Sequence, residues 1–291
     1  MNYLQFPNNP SLADIRTSLR QGLTPKYGDR EATAMARAII MNLKGWNLTQ
    51  LVANEDREAS DFIMGRSQEI FSQLMNDMPL QYALGESEFY GLKLKVKPGV
   101  LIPRPETEEL VDLIVKENKR SDLEVLDLCT GSGAIAIALA RNLPFSKVEA
   151  IDISPNAVVI AQENAAELKV NVKIRKGDVF ALSIPSNSFD IIVSNPPYVL
   201  ESEKSEMEPN VLNFEPHEAL FVSDSNPLPF YSRIAEIAAE ALVPNGKLYF
   251  EINPILASQI KDLLSTAGFR DIRIIRDVHG KDRFAAALAP D

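Results

Sequence analysis

The stretch that decides the fold is Val125-Leu126-Asp127-Leu128-Cys129-Thr130-Gly131-Ser132-Gly133, residues 125–133. It begins as an apolar run of strand length and passes through two closely spaced glycines into the apolar segment 134–141. A strand, a glycine turn and a helix in that order are typical of an α/β sheet that binds a ligand at the turn. Gly131 and Gly133 allow unusual dihedral angles and leave room for a ligand beside the backbone.

Apolar strand segments alternate with helical segments over the rest of this region, which predicts parallel strands joined by right-handed crossovers. Strands are predicted at 125–129, 147–153, 172–177, 189–194 and 246–252, and helices near 134–142, 155–168, 228–243 and 255–267. Residues 272–277 and 283–288 lie too close together for an intervening helix, so they predict an antiparallel hairpin at one sheet edge. The expected fold class is α/β, with a mostly parallel seven-stranded sheet and an antiparallel C-terminal hairpin.

The first part of the chain has a different pattern. Residues 10–78 show apolar residues at helical spacing, with Ser11 as a candidate helix cap, and no strand-like alternation. Alternation at period two appears from Phe89 to Val96. We therefore predict a small helical domain at 1–78, a linker with a short β-hairpin at 79–105, and the α/β domain at 106–291.

Composition narrows the function classes. The chain has 291 residues, 45% of them apolar, and a formal charge of −10. Such acidity disfavours direct nucleic-acid binding, which depends on clustered Lys and Arg. Cys129 is the only cysteine and the two histidines lie far apart, so neither a disulfide nor a metal site is expected. The N-terminal stretch lacks the features of a secretory signal and no apolar run reaches membrane-spanning length, so we expect a cytoplasmic protein that does not enter membranes.

The glycine turn alone does not decide which ligand binds, because nicotinamide dehydrogenases and purely structural turns use similar glycines. Position 136 is alanine, so the complete dinucleotide pattern is missing. Asp127, just before the turn, is suited to holding an ammonium group directly or through water. A dinucleotide carries no such group, which favours an amino-acid-bearing nucleoside such as S-adenosylmethionine.

Two further acidic residues follow the next strands. Asp152 ends the second strand, where a carboxylate accepts both hydroxyls of a ribose. A helix-capping role is the alternative, although Ser154 already supplies a cap. Asp178 follows the third strand and is placed to accept the exocyclic amine of adenine, with Val179 and Phe180 as apolar contacts for the base.

The tetrad Asn195-Pro196-Pro197-Tyr198 follows the apolar strand 189–194, at the end of the strand where ligands of α/β sheets collect. The prolines make the backbone rigid, so the Pro196 carbonyl is a fixed acceptor. If it and the Asn195 side-chain oxygen each accept one N–H, a planar nitrogen is held for methyl transfer and gains electron density. Tyr198 can stack on the flat group. Side-chain amides and the amines of adenine or guanine all fit this arrangement, and a simple Asn-Pro turn is the structural alternative.

Several motifs beyond the turn and the tetrad occur together: 79–82 (PLQY) with Gly85, 89–91 (FYG), 102–108 (IPRPETE), and 215–220, in which Glu-Pro and Ala-Leu flank two other residues. With these motifs the chain resembles the bacterial release factor glutamine methyltransferases over nearly its whole length. The resemblance implies a Rossmann-like class I methyltransferase domain, S-adenosylmethionine as cofactor, and the Gly-Gly-Gln glutamine of class-I peptide chain release factors as substrate. We also expect a monomer.

The resemblance assigns roles to individual residues. The proposed cofactor contacts are Cys129, Thr130, Gly131, Ser132, Gly133, Asp152, Val179 and Asn195. The tetrad Asn195, Pro196, Pro197 and Tyr198 would hold the substrate glutamine. Phe89 and the segment from Arg104 to Thr107 would lie near the site.

Two other functions stay open at this stage. One is a nucleic-acid adenine or guanine amino-methyltransferase, and the other is a non-catalytic protein that binds translation factors. The acidic segment 200–219 also has two interpretations, because such charge usually marks a solvated loop but its position after Tyr198 suits a lid or a docking surface.

Overall fold

The computed structural model describes residues 3–291, and its contacts divide the chain into two compact units. The first unit reaches to Gly85 and includes Pro209–Phe214, and the second contains Glu86–Glu208 and Glu215–Asp291. The helices are α1 (Leu12–Lys44), α2 (Leu48–Ala53), α3 (Asp61–Met75), α4 (Leu80–Leu84), α5 (Pro105–Glu117), α6 (Ala134–Asn142), α7 (Pro155–Glu167), α8 (Pro209–Phe214), α9 (Pro229–Ala241) and α10 (Ala257–Thr266). Within residues 3–291, none of the helices has both the length and the apolar character needed to cross a membrane.

The first unit is helical, as the sequence predicts. Ser11 caps α1, because its side chain accepts a hydrogen bond from the Asp14 N–H while the Asp14 carboxylate accepts from Ser11. Gly28 has a φ of 77° and a non-helical conformation, so α1 consists of two helical segments joined at a kink. Apolar residues on α1 and α3 pack into one core, in which Ile39 and Ile70 are fully buried.

The second unit contains the predicted seven-stranded sheet, in the order β10-β11-β9-β6-β3-β4-β5. Its strands are β3 (Glu124–Leu128), β4 (Lys147–Asp152), β5 (Val172–Lys176), β6 (Phe189–Ser194), β9 (Leu242–Glu251), β10 (Arg270–Arg276) and β11 (Asp282–Leu288). The pairs among β3, β4, β5, β6 and β9 are parallel, and β11 pairs antiparallel with both β9 and β10. The predicted fold class is therefore confirmed.

Each face of the sheet has its own apolar core because side chains alternate along a strand. Val125 of β3 packs with α5, α6 and α7 on one face, whereas Leu126 and Leu128 pack with α9 and α10 on the other. All three side chains are fully buried. Strands covered on both faces by helices read as continuous apolar runs, which is the pattern seen in β3 and β6.

Two pairs of short strands complete the second unit. The predicted hairpin near residue 90 forms from β1 (Glu86–Phe89) and β2 (Leu92–Lys95), and β7 (Val199–Leu200) pairs in parallel with β8 (Phe221–Val222). Strands β7 and β8 and helix α4 were not predicted from the sequence. The helix lies in the segment assigned to the linker, but it packs on the helical core through Ala83. A strand of two residues or a helix of five residues is too short to show its own period.

The strand order brings four carboxyl ends to one edge of the sheet. From β9 to β4 these ends carry Glu251, Asn195, Cys129 and Asp152, and the order changes direction between β6 and β3. In open α/β sheets such a change of direction opens a crevice where ligands bind.

Gly133 and Gly131 both have positive φ, 82° and 56°, but only Gly133 is crowded. A Cβ at Gly133 would lie 3.0 Å from the Ala161 Cβ and 3.0 Å from the Ile137 Cδ1, whereas a Cβ at Gly131 would meet no atom within 4 Å. We expect Gly133→Ala to lower the free energy of unfolding by about 3 kcal/mol and Gly131→Ala by about 1 kcal/mol, because only the former adds crowding to backbone strain. Urea unfolding measures both. Equal losses would contradict a packing role for Gly133.

Candidate functional site

A cavity opens at this edge of the sheet, within the second unit. Eight residues predicted to contact ligand line it: Cys129, Gly131, Asp152, Asp178, Val179, Phe180, Asn195 and Pro197. Other lining residues were not predicted from the sequence, among them Val100, Leu101, Ala157, Glu218 and Phe230. A concave site with apolar walls and a few converging polar groups is typical of small-molecule binding.

Asp152 connects the turn after β3 to the end of β4. Its Oδ2 accepts the Gly131 N–H at 2.8 Å, and its Oδ1 accepts the Ser154 N–H at 2.9 Å. Burial raises the pKa of Asp152 above its ordinary value, and these N–H groups counteract the rise. Each carboxylate oxygen has further acceptor capacity, so a pair of ribose hydroxyls can bind here. The capping of α7 belongs to Ser154, whose hydroxyl accepts the Ala157 N–H.

Asp127 is fully buried beneath the glycine turn. Its Oδ2 accepts hydrogen bonds from the Thr130 hydroxyl at 2.6 Å and the Ala136 N–H at 3.2 Å. Its Oδ1 is buried and has no hydrogen-bond partner among residues 3–291. Burial raises the pKa of this carboxyl to about 7. An unpaired buried oxygen is costly, which fits a site that gains a donor when ligand or water is bound.

An apolar wall lies beside Asp178. Val179 is buried, while Phe180 is half exposed and its ring centroid lies 5.1 Å from that of Phe230. Asp178 Oδ1 accepts the Phe180 N–H at 2.9 Å, which fixes the start of this wall. A flat base can contact these rings while its amine reaches the Asp178 carboxylate.

Only part of the glycine turn lines the cavity. Cys129 and Gly131 line it, whereas the side chains of Thr130 and Ser132 are buried and Gly133 packs against α7. Cys129 has a φ of 63°, in the left-handed region that favours glycine, so its backbone carries strain.

Asn195 is held by a chain of hydrogen bonds. Its Nδ2 donates to the Thr107 hydroxyl at 3.3 Å, and that hydroxyl donates to Glu251 Oε2 at 2.6 Å. The Tyr198 hydroxyl donates to the other Glu251 oxygen at 3.0 Å. Glu251 is 1% exposed, and burial raises its pKa. Burial and the charge of Glu251 also raise the pKa of the Tyr198 hydroxyl, so Tyr198 stays protonated and donates.

Glu251 was not predicted from the sequence. It is the last residue of β9 and follows the buried apolar residues 248–250. A charged residue at the carboxyl end of an otherwise apolar strand is the signal that could have identified it, since such residues rarely become buried without partners.

Four predicted substrate residues lie outside the cavity lining. The predicted substrate role of Phe89 needs correction. Its side chain is 1% exposed and packs in the core beside α5, so it does not present a surface to a substrate. Arg104 forms an ion pair with Glu215 at 2.7 Å. The ring of Tyr198 packs partly into the apolar core and its hydroxyl is used by Glu251. The Pro196 side chain is buried.

The last part of the acidic segment 200–219 is anchored by Glu215. This carboxylate is 4% exposed, binds Arg104 through Oε1 and accepts the Ile102 N–H through Oε2 at 3.1 Å. The residues that follow it, Pro216, Glu218 and Ala219, line the cavity. This end of the segment is therefore part of the cavity wall, whereas Glu201, Glu206 and Glu208 are exposed.

Comparison with known proteins agrees with this geometry. A release factor glutamine methyltransferase from Bacteroides thetaiotaomicron is 47% identical, with 94% of this chain and 98% of that protein covered. One from Streptococcus pneumoniae is 45% identical, with 94% and 96% covered. The chain belongs to the release factor glutamine methyltransferase family. The resemblance noted from the motifs is thus confirmed.

Family models and a solved structure support the two parts of this family fold. The Methyltransferase small domain matches residues 106–213, and the PrmC N-terminal domain matches residues 15–85. A crystal structure of a methyltransferase from Pyrococcus furiosus superposes with a TM-score of 0.50 at 20% identity, covering 69% of this chain and 90% of that one. That similarity confirms the Rossmann-like methyltransferase fold.

Asp127 makes the stability of the ligand-free protein depend on pH. Its folded pKa of about 7 lies above the ordinary 3.8, so the folded state holds a proton that the unfolded state releases. Its contribution is therefore complete below about pH 4 and is lost as the pH rises to about 7. Between pH 5 and pH 8, we expect the free energy of unfolding to fall by about 2–3 kcal/mol more in the wild type than in Asp127→Asn. Urea unfolding of both proteins checks this, and parallel pH profiles would show that Asp127 titrates normally.

Proposed function

We propose that this protein transfers a methyl group from S-adenosylmethionine to the side-chain amide nitrogen of the glutamine in the Gly-Gly-Gln motif of class-I peptide chain release factors. Family membership at 47% identity over nearly the full length supports this activity. The observation that carries it is the Asn195 amide, held by Thr107 and Glu251 at a cavity suited to an adenosine group.

The residues at the cavity fit the cofactor. We assign Asp152 to the ribose hydroxyls, Asp178 to the adenine amine, and Val179 to one face of the base. Asp127, with its unpaired Oδ1, is assigned to the ammonium group, through water or a shift of the turn. The backbone of the turn, Cys129, Thr130, Gly131, Ser132 and Gly133, would approach the amino-acid part. When bound, S-adenosylmethionine supplies an electrophilic methyl group on a positively charged sulfur.

The tetrad is assigned to the substrate amide. An amide nitrogen is a poor nucleophile because its lone pair is delocalised into the carbonyl. Asn195 Oδ1 and the Pro196 carbonyl would each accept one N–H, which orients the nitrogen and increases its electron density. Pro197 would make this acceptor rigid, and the half-buried Tyr198 ring would stack on the flat amide. The substrate nitrogen would take the methyl group directly as the bond from that group to sulfur breaks, so the reaction needs no protein nucleophile. The nitrogen would release its extra proton to solvent after transfer.

The remaining assignments concern partners and organisation. We assign substrate recognition to the helical domain at 1–78, a connecting role to the linker at 79–105, and catalysis to 106–291. Arg104 would support the site through Glu215. The formal charge of −10 supports a protein substrate over bare nucleic acid. A monomer in the cytoplasm, acting without a metal, is the form we propose.

Asn195→Ala should lower kcat for methylation of purified release factor by about 10²–10³-fold, because one of two acceptors for the developing charge is lost. The dissociation constant of S-adenosylmethionine should change far less. Asn171→Ala, an exposed asparagine outside the cavity, is the matched control. Turnover is measured with labelled cofactor and peptide mapping of the modified glutamine.

Three outcomes separate the candidate functions. A release factor lacking the glutamine must gain no methyl group if the proposed substrate is correct. Methylation of DNA or RNA amines instead would favour the nucleic-acid methyltransferase interpretation. A protein without measurable cofactor affinity would indicate a non-catalytic binding role and overturn the proposal.

A further inference from the structure

The hydrogen bonds around Asn195 have a definite direction. The Asn195 amide, the Thr107 hydroxyl and the Glu251 carboxylate form a continuous chain, with distances of 3.3 Å and 2.6 Å between successive atoms. Thr107 lies in the first turn of α5 and Glu251 ends β9, so the chain joins three separate elements of the second unit. Thr107 is 4% exposed and Glu251 is 1% exposed, which excludes water as a ready substitute for either group.

Counting protons fixes that direction. A carboxylate only accepts hydrogen bonds, and a threonine hydroxyl has one proton to donate. The Thr107 proton goes to Glu251, so the Thr107 oxygen can only accept from Asn195. The Asn195 NH₂ must therefore face Thr107, and Oδ1 lies on the opposite side of the planar amide.

We propose that Thr107 and Glu251 are positioning residues that set the orientation of the Asn195 amide, so that its oxygen, and not its NH₂, is presented to the substrate nitrogen. This inference rests on the proposed function. An isolated asparagine can present either group, and an NH₂ in this place would compete for the lone pair instead of accepting the substrate N–H. The buried carboxylate at the end of the chain is the element that excludes the second orientation.

Tyr198 supports the same arrangement. Its hydroxyl occupies the other oxygen of Glu251 at 3.0 Å, so both carboxylate oxygens accept from hydroxyl groups. Burial raises the pKa of Glu251, whereas the hydrogen bonds from Thr107 and Tyr198 and the charge of Arg283 counteract the rise. These contacts favour the ionised, accepting form of Glu251, and they tie both ends of the tetrad to one carboxylate.

The variants Thr107→Val and Glu251→Gln test the proposal. Valine has the shape of threonine without the hydroxyl, and glutamine can donate to Thr107 and so reverse the chain. We expect each to lower kcat for release factor methylation by about 10–100-fold, somewhat less than the loss of Asn195 itself. Cofactor affinity should change little. Thr107→Ser, which keeps the hydroxyl, should recover most of the turnover lost in Thr107→Val.

Thr266→Val is the matched control, since it removes an exposed hydroxyl that donates to the Asp262 carbonyl within α10. A double-mutant cycle excludes a purely structural role for Thr107. If Thr107 acts through Asn195, Thr107→Val adds no further loss of turnover in the Asn195→Ala background. Additive losses, or a lack of recovery by serine, would overturn the inference.

A second measurement does not depend on the substrate. The side-chain NH₂ resonances of Asn195 are assigned by their disappearance in Asn195→Ala, and we expect them to shift in Thr107→Val and Glu251→Gln but not in Thr266→Val. If the wild type transfers no methyl group to release factors while these shifts occur, the proposed function fails and the amide orientation stands. Unchanged resonances in Thr107→Val would refute the orientation even in an active enzyme.

Discussion

The hydrogen bond from the Gly131 N–H to Asp152 Oδ2 is the interaction on which the functional part of the structure depends. It joins the turn after β3 to the end of β4 at 2.8 Å. The same turn is held from below by Asp127, which accepts from Thr130 and Ala136 at the start of α6. These contacts set the backbone that forms the cavity floor, and Gly133 lets α6 and α7 pack closely behind it. The cavity is thus formed by the connections of the sheet itself.

This arrangement reduces stability at the site. The buried Asp127 and the half-buried Asp152 carboxyl groups lie at neighbouring strand ends, and both have raised pKa values because burial disfavours their charged forms. Asp127 keeps one oxygen unpaired, and Cys129 adopts a left-handed conformation that suits glycine. Strain and unpaired polar groups of this kind gather at functional sites, where a ligand can satisfy them. The two apolar cores on the faces of the sheet offset the cost.

The sequence predicted those features that a local pattern carries. Strand 189–194 was predicted with its limits and helix 134–142 close to its limits, because their apolar patterns are strong and their ends are marked by glycine or by Asn195-Pro196. Asp152 and Asn195 were predicted because the former ends a strand and the latter directly follows one. Glu251 and Thr107 act on Asn195 from 56 and 88 residues away, so no local pattern links them. The buried placement of Phe89 likewise depends on packing with α5, which motif matching does not report.

The acidic charge of the cavity wall bears on how cofactor and product would exchange. Asp152, Asp178 and Glu218 place three carboxyl groups on its wall, and Glu218 contributes to the raised pKa of Asp152. An acidic wall attracts a positively charged ligand more strongly than a neutral one of the same shape. The sulfur of the cofactor is positively charged before methyl transfer and neutral afterwards. On the proposed assignment, a wall that holds the cofactor would hold the product less tightly, which would favour exchange of product for new cofactor. The proposed orientation of Asn195 depends on buried groups outside the cavity, so this exchange would leave it unchanged.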